Sequence, residues 1–295
     1  MFAFLFKTVF RLFALLPLSA LQGLGALLGR LTYAASTQYA ARTRENLRQA
    51  GITEGEVHYR SLLSETIAEA GKGITELAWV WGRPYDEVLG KVRECVGLEH
   101  IIAAQACGKG IIFLTPHLGC FDISALYAAR RVPITALYRP PKLGFLEDVM
   151  RGGRERGQAK LAKADVSGVR LLYKALKRGE AIGLLPDQVP SRGEGEWAGF
   201  FGRPAYTMTL AGRLAESSGA TVLIAYSERL PHGQGYVIHV EPLALDFAAP
   251  VPQQVNAALE RVIRACPAQY LWSYNRYKTP RGVSAPTPPL STPAS

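Results

Sequence analysis

The apolar and polar positions change texture three times along the chain. The N-terminus, MFAFLFKTVFRLFALLPLSALQGLGALLGR, is almost wholly apolar, and Leu12 to Gly29 runs eighteen residues without a charge. That is the lower limit for a membrane-crossing helix. Residues 36–82 follow with apolar positions at helical spacing through Leu62, Ile67, Ile74 and Leu77. They end at Trp79, Trp81 and Gly82 with Pro84 as a stop signal. From Gly110 onward short apolar runs alternate with helical stretches: IIFLT (111–115), ITALY (134–138), AIGLL (181–185), TVLIAY (221–226) and YVIHV (236–240). The helices are expected near 121–131, 143–156, 168–178, 207–218 and 252–265. Such alternation predicts an α/β fold, a mixed and mostly parallel sheet flanked by helices on both faces. Pro231, Gly233 and Gly235 separate the last two strands and predict an antiparallel pair there. The Pro-, Ser- and Thr-rich tail, 283–295, reads as disordered.

Composition adds little until the charges are located. Of 295 residues, 48% are apolar and 20% charged, which excludes a chain disordered throughout. The net charge is +10, a sign of an anionic partner. Two segments hold the excess. Residues 1–30 carry Lys7, Arg11 and Arg30 and no acid, and residues 139–178 carry eleven bases against four acids. Arg30, Arg42, Arg44 and Arg48 outnumber Lys7 and Arg11, so an N-terminal anchor at 1–30, spanning or interfacial, would leave the main domain (31–282) in the cytoplasm. A cleaved signal peptide fits less well, because the apolar stretch is long and no A-x-A site ends it. A soluble core helix is the third reading. Cys95, Cys107, Cys120 and Cys266 form no CxxC pair and read as free thiols; no metal site is expected.

Candidate chemistry gathers where apolar strands run into proline. The first core strand leads into T-P-H-L-G-C-F-D (115–122), which puts His117 and Asp122 at the carboxyl edge of the sheet, the edge where open α/β sheets bind ligands. On one helix five residues separate side chains by roughly 140°. If His117 instead precedes the helix, with Gly119 allowing the bend, Asp122 in the first turn could fix the imidazole tautomer and leave a general base. No G-x-S-x-G elbow or activated cysteine accompanies the pair, so activation of a substrate hydroxyl and direct group transfer fit better than hydrolysis, which would need a positioned water. A second strand runs into L-L-P-D-Q-V-P-S-R-G (184–193), then F-F-G-R-P-A-Y-T (200–207), with a helix expected from about Thr207. Asp187, Gln188 and Arg192 would then stand at the edge that carries His117.

Together these residues resemble the lysophospholipid acyltransferase superfamily, and more narrowly the bacterial lipid A biosynthesis lauroyl/myristoyl acyltransferases. The resemblance rests on H-x4-D at 117–122, Arg139 after the next strand, the P-D-Q loop, and the N-terminal apolar segment. Arg42 with Asn46-Leu47, Glu76 with Trp79, F-F-G-x-P-A-x-T and the closing P-A-Q-Y-L-W-S-Y-N-R-Y-K (267–278) extend it over residues 1–280. It implies a glycerol-3-phosphate-acyltransferase-like fold and an enzyme of the inner membrane's cytoplasmic face. That enzyme moves a fatty acyl chain from acyl carrier protein, as a thioester co-substrate and without other cofactors, to a hydroxyl of a phosphorylated lipid A precursor. His117 would be the base and Asp122 its partner. Arg139, Arg151, Arg154 and Arg192 would grip phosphates through bidentate guanidinium contacts. The 139–178 block would meet the bilayer, the glycolipid or the acidic carrier. Another lipid acceptor (a lyso-aminolipid, lysophosphatidate or glycolipid) is the alternative, and a non-catalytic anionic-lipid binder the remote one. Nucleic acid is disfavoured, since no binding motif accompanies the bases.

Overall fold

The computed structural model describes residues 2–286, with no account of the side chains of residues 2–4. Most of the expected disordered tail therefore lies outside the described residues. The N-terminal third is helical: α1 (Phe2–Ala14), α2 (Leu18–Ala35), α3 (Thr37–Gln49), α4 (Gly55–Gly82) and the short α5 (Tyr85–Leu89). The alternating part comprises β1 (Val92–Val96), α6 (Leu98–Cys107), β2 (Ile111–Leu114), α7 (Phe121–Ala129), β3 (Ile134–Tyr138), α8 (Gly144–Arg154), β4 (Ala159–Lys163), α9 (Val166–Lys177) and β5 (Ala181–Leu184). It continues with β6 (Gly195–Phe200), β7 (Arg203–Met208), α10 (Leu210–Ser218), β8 (Thr221–Arg229), β9 (Tyr236–Pro242) and α11 (Val251–Ala265).

Seven strands form one sheet in the order β1-β9-β8-β2-β5-β3-β4, parallel throughout except for the antiparallel pair β8–β9. All five expected apolar runs are strands of this sheet, and the mixed, mostly parallel architecture is as the alternation predicts. Side chains alternate across each strand. Ile112, Leu114, Ile182, Leu184 and Ile224 join the core under α3, α4, α9, α10 and α11. Ile111, Phe113, Ala181, Leu223 and Ile238 join a second core with Ile101 of α6 and Ala128 of α7. Both faces are covered, which is why the central strands read as unbroken apolar runs.

Four expectations are corrected. The long apolar segment is not one helix: Pro17 has no amide hydrogen to donate, and α1 and α2 meet there at 119°. The helical stretch 36–82 breaks between Gln49 and Gly55, where Gly51 and Gly55 adopt positive φ. The helix expected at 207–218 is α10, which starts three residues later, at Leu210, because residues 195–208, read as a loop, form an antiparallel hairpin, β6–β7. Strands β1 and β4 were unexpected, because half-exposed edge strands such as VRECV and AKLAK carry no apolar run.

Candidate active site

Strands β2 and β5 are parallel neighbours with Leu114 opposite Leu184. Each continues through one residue into a proline, Thr115-Pro116-His117 on one and Leu185-Pro186-Asp187 on the other. The register thus brings His117 and Asp187 side by side, 70 residues apart in the chain. His117 Nδ1 lies 2.8 Å from Asp187 Oδ1, and the His117 amide donates to Asp187 Oδ2 at 2.9 Å. A carboxylate only accepts, so the ring hydrogen sits on Nδ1 and Nε2 keeps its lone pair. The Gln188 amide nitrogen donates to that Nε2 at 3.1 Å.

Asp187 is 2% exposed. Burial works to raise its carboxyl. The attraction of His117 and the bonds from its ring and amide outweigh that, and Asp187 is held below the usual aspartate range. Burial and the neighbouring Asp187 together push the Tyr270 phenol up, so it keeps its proton.

The turn that carries the imidazole is fixed from several sides. Gly119 has φ +60°, and a Cβ there would meet the Ser227 carbonyl at 1.8 Å, so glycine is required. The Gly119 amide donates to the Gln269 carbonyl, and the Leu271 amide donates to the His117 carbonyl, both at 3.0 Å. The closing segment is itself tied to α3, because Asn46 Nδ2 donates to the carbonyls of Trp272 and Tyr274 at 2.7 and 2.8 Å. These are the stretches that read as family-like in the sequence. Their contacts hold the histidine in place.

Asp122 does not orient His117 in this structure. It sits in the first turn of α7 and forms a two-armed pair with Arg154 of α8, Nη2 to Oδ2 at 3.1 Å and Nε to Oδ1. The Trp81 indole donates to Oδ1 as well, at 3.2 Å. Phe121 lies between the two centres, its ring 4.9 Å from the imidazole and 5.8 Å from the Arg154 guanidinium. The H-x4-D spacing puts both acidic and basic residues on one turn, but on opposite sides of that ring.

Two adjoining spaces open here. A groove of about 630 Å³ is lined by His117, Gln188, Arg139, Arg154, Arg170 and Arg213. Arg139, Arg170 and Arg213 form no ion pair among the described residues. A much smaller, mostly apolar cavity of about 60 Å³ is lined by Thr115, Asp122 and Arg154 on one side and by Ile101, Ile134 and Ala159 on the other. Both spaces share Phe121, Leu137, Leu184, Leu185 and Arg154 as walls.

Of the other expected residues, Arg151 and Arg192 are not brought to the groove. Arg151 binds Glu155 at 2.6 Å and the Tyr138 hydroxyl at 3.1 Å, and Arg192 lies against Gly282. Arg170 and Arg213 were missed, since each reads as an exposed base on a helix until the fold turns it to the groove. The described residues hold no cluster able to bind a metal ion.

A part-buried histidine held by a buried carboxylate, at the carboxyl edge of a parallel sheet and beside an arginine-lined groove, is the arrangement of a group-transfer site in an α/β protein. The sequence places it further: the family description "Bacterial lipid A biosynthesis acyltransferase" matches residues 1–279, and the chain belongs to that family. Among its relatives is the lipid A biosynthesis lauroyltransferase of Escherichia coli K12, 28% identical over 91% of this chain and 89% of the relative. The palmitoleoyltransferase of the same strain is 26% identical over 92% and 89%. The myristoyltransferase is 24% identical over 86% and 80%.

Proposed function

We propose that this protein transfers a fatty acyl chain from the thioester of acyl carrier protein to a hydroxyl of a phosphorylated lipid A precursor, at the cytoplasmic face of the inner membrane. The observation that carries the reading is the His117–Asp187 pair facing an arginine-lined groove, in a chain of this family.

The acceptor hydroxyl enters the groove, displaces the Gln188 amide and donates its proton to His117 Nε2. Its oxygen attacks the thioester carbonyl, and Asp187 stabilises the imidazolium through the Nδ1 hydrogen. Negative charge that develops on the carbonyl oxygen is met by a guanidinium of the groove, Arg139 being free of a carboxylate partner. Collapse expels the carrier's thiolate, which takes the proton back from His117 Nε2. No residue of the protein is acylated at any stage. Asp122 acts as a positioning residue: with Trp81 it holds Arg154 where the groove meets the apolar cavity. The apolar walls that groove and cavity share, Phe121, Leu137, Leu184 and Leu185, take the hydrocarbon chain, which opens the small cavity beyond them, and the arginines face the acceptor's phosphates. The exposed bases of α9, Arg170, Lys174 and Lys177, offer the acidic carrier a docking face beside the groove.

Purified protein given acyl carrier protein thioester and lipid A precursor should yield a product heavier by one acyl group in mass spectrometry. His117→Ala should abolish it while the protein stays folded. Undiminished product from that variant would remove the mechanism. Lipid A of unchanged acylation in a deletion strain, with another lipid altered, would move the acceptor to that lipid.

A further inference from the structure

We propose that Arg276 and Tyr270 of the closing segment are positioning residues that act on His117 through Asp187: they share its negative charge and so leave the His117–Asp187 pair free to accept a proton at neutral pH. This role rests on the reading of His117 as the base and adds a second tier behind it.

Arg276 is placed as few charges are. It is 2% exposed, and among the described residues no carboxylate pairs with it. Its Nη1 donates to the Tyr206 carbonyl at 2.8 Å, and its Nη2 to Thr207 Oγ1 at 2.7 Å and Asn256 Oδ1 at 3.2 Å. These acceptors are neutral, the Nε hydrogen has none, and the Phe200 ring lies 5.2 Å from the guanidinium. An arginine keeps its charge even there. Moving a cation from water into such a site is costly unless an anion offsets it. The carboxylate that faces it is Asp187. Burial works to lower the guanidinium's pKa, and the charge of Asp187 works against that. Arg276 in turn is one of the groups that hold the Asp187 carboxyl low.

Tyr270 belongs to the same arrangement. It is buried, its hydroxyl donates to Asp187, and its backbone bridges Leu118, the residue after the imidazole. Two residues beyond Asp187, the Val189 amide donates to the Tyr274 hydroxyl at 2.9 Å. The segment that carries Arg276 is thus fastened to both halves of the pair.

The charges give the consequence. Asp187 alone behind the imidazole would be an uncompensated buried anion, which favours a second proton on the ring and so a blocked Nε2. With Arg276 the resting site holds one anion, one cation and a neutral ring, and Nε2 keeps its lone pair for the acceptor hydroxyl. The other charged groups act from a different side. Arg139, Asp165, Arg170, Glu194 and Arg213 line the groove and are exposed, so water and salt screen them. Arg154 is paired with Asp122. Tyr274 and Tyr277 are the remaining titratable groups facing Arg276, and burial pushes Tyr277 up to about 12.

Two pH profiles of the full chain in detergent test this role. One is kcat/KM for acyl transfer. The other needs no activity: the protonation midpoint of the His117 ring, read from its carbon-13 histidine resonance and assigned by the loss of that resonance in His117→Ala. The pair titrates as a unit, so both midpoints report it. Arg276→Gln should move both up by about one pH unit, which is about tenfold in kcat/KM on the acid limb. Arg276→Lys keeps the charge and should return them close to wild type. Tyr270→Phe removes one hydroxyl, leaves the guanidinium and should move them up by less. Midpoints unmoved in Arg276→Gln and Tyr270→Phe would overturn the proposal, even where both variants lose stability or rate, because a merely structural role does that much. Equal shifts in Arg276→Gln and Arg276→Lys would overturn it too. If Arg276→Gln does not fold, Tyr270→Phe decides alone, and an unmoved midpoint there overturns the proposal. A wild-type protein that transfers no acyl group, while the ring midpoint moves as expected in the variants, supports the role of Arg276 and strikes the proposed function instead.

Discussion

At the scale of single residues the question is which carboxylate serves His117, the proposed base. The hydrogen bonds assign Asp187 to His117 and Asp122 to Arg154, and the two assignments have different kinetic signatures. Asp187→Asn should lower kcat by about 10³-fold or more, as loss of the tautomer-fixing carboxylate does elsewhere, with KM little changed. Asp122→Asn should instead act through Arg154: in a double-mutant cycle Asp122→Asn and Arg154→Gln should be strongly non-additive. A dead Asp122→Asn beside a near-normal Asp187→Asn would reverse the assignment. The pH behaviour has a sign as well. The pair needs the charged form of Asp187, whose carboxyl lies below its ordinary 3.8. Its hold on the ring is therefore complete above that value and is lost only as pH falls further. His117 was legible because an apolar strand ending in Pro-His marks a sheet edge. Its partner was misread, because H-x4-D is a local pattern whereas the real pairing is set by register between strands. The signal was present all the same: Leu114-Thr115-Pro116-His117 and Leu184-Leu185-Pro186-Asp187 are two copies of one strand ending, and parallel neighbours align them.

At the scale of elements, the helical third is bolted to the sheet by one buried charge network. Glu76 of α4, wholly buried, receives Arg229 of β8 through two contacts, one of them 2.8 Å, and the Tyr236 hydroxyl of β9 at 3.0 Å. Glu69, two turns earlier on α4, binds the same guanidinium. Taking one partner from a buried pair leaves an uncompensated charge and costs about 3–5 kcal/mol, so Glu76→Ala should lower thermal stability sharply. Arg229→Met alone should do the same, and Glu76→Met with Arg229→Met should recover much of the loss. Thermal unfolding in detergent, read by circular dichroism, measures all three; a neutral Glu76→Ala would show that the pair holds nothing. Glu76 entered the sequence reading only as a family-like residue beside Trp79, since nothing in a helix names a partner 153 positions away. Likewise the β6–β7 hairpin was hidden. Its strands mix glycine, tryptophan and charge, and only a few of their side chains, Phe200 and Ala205 among them, reach the main core.

At the scale of the whole molecule, the layered sheet gives the proposed carrier, lipid and hydrocarbon chain separate places. The arginine-lined groove lies above the carboxyl edge, while the small apolar cavity is lined from β3, β4, β8 and β9, with Ile134 and Ala159 at the strand origins. On the proposed reading, a chain whose thioester carbonyl sits near His117 points into that cavity, which at about 60 Å³ opens to admit it, and the residues at the far end limit its length. The sequence could not indicate these, because Ile101, Ile134 and Ala159 come from α6, β3 and β4 and read as ordinary core. Enlarging the end by Ile101→Gly should shift preference toward longer acyl donors by one or two methylenes, each worth about 0.8 kcal/mol of burial and thus roughly fourfold in relative kcat/KM. Filling it by Ala159→Leu should shift preference the other way. Competition between two acyl carrier protein thioesters of different length, read as the ratio of products by mass spectrometry, isolates this effect from any general loss of activity. Equal ratios in wild type and both variants would mean that the chain lies elsewhere, along the open groove. In that case donor length would be set where Met208 and Leu210 line its wall.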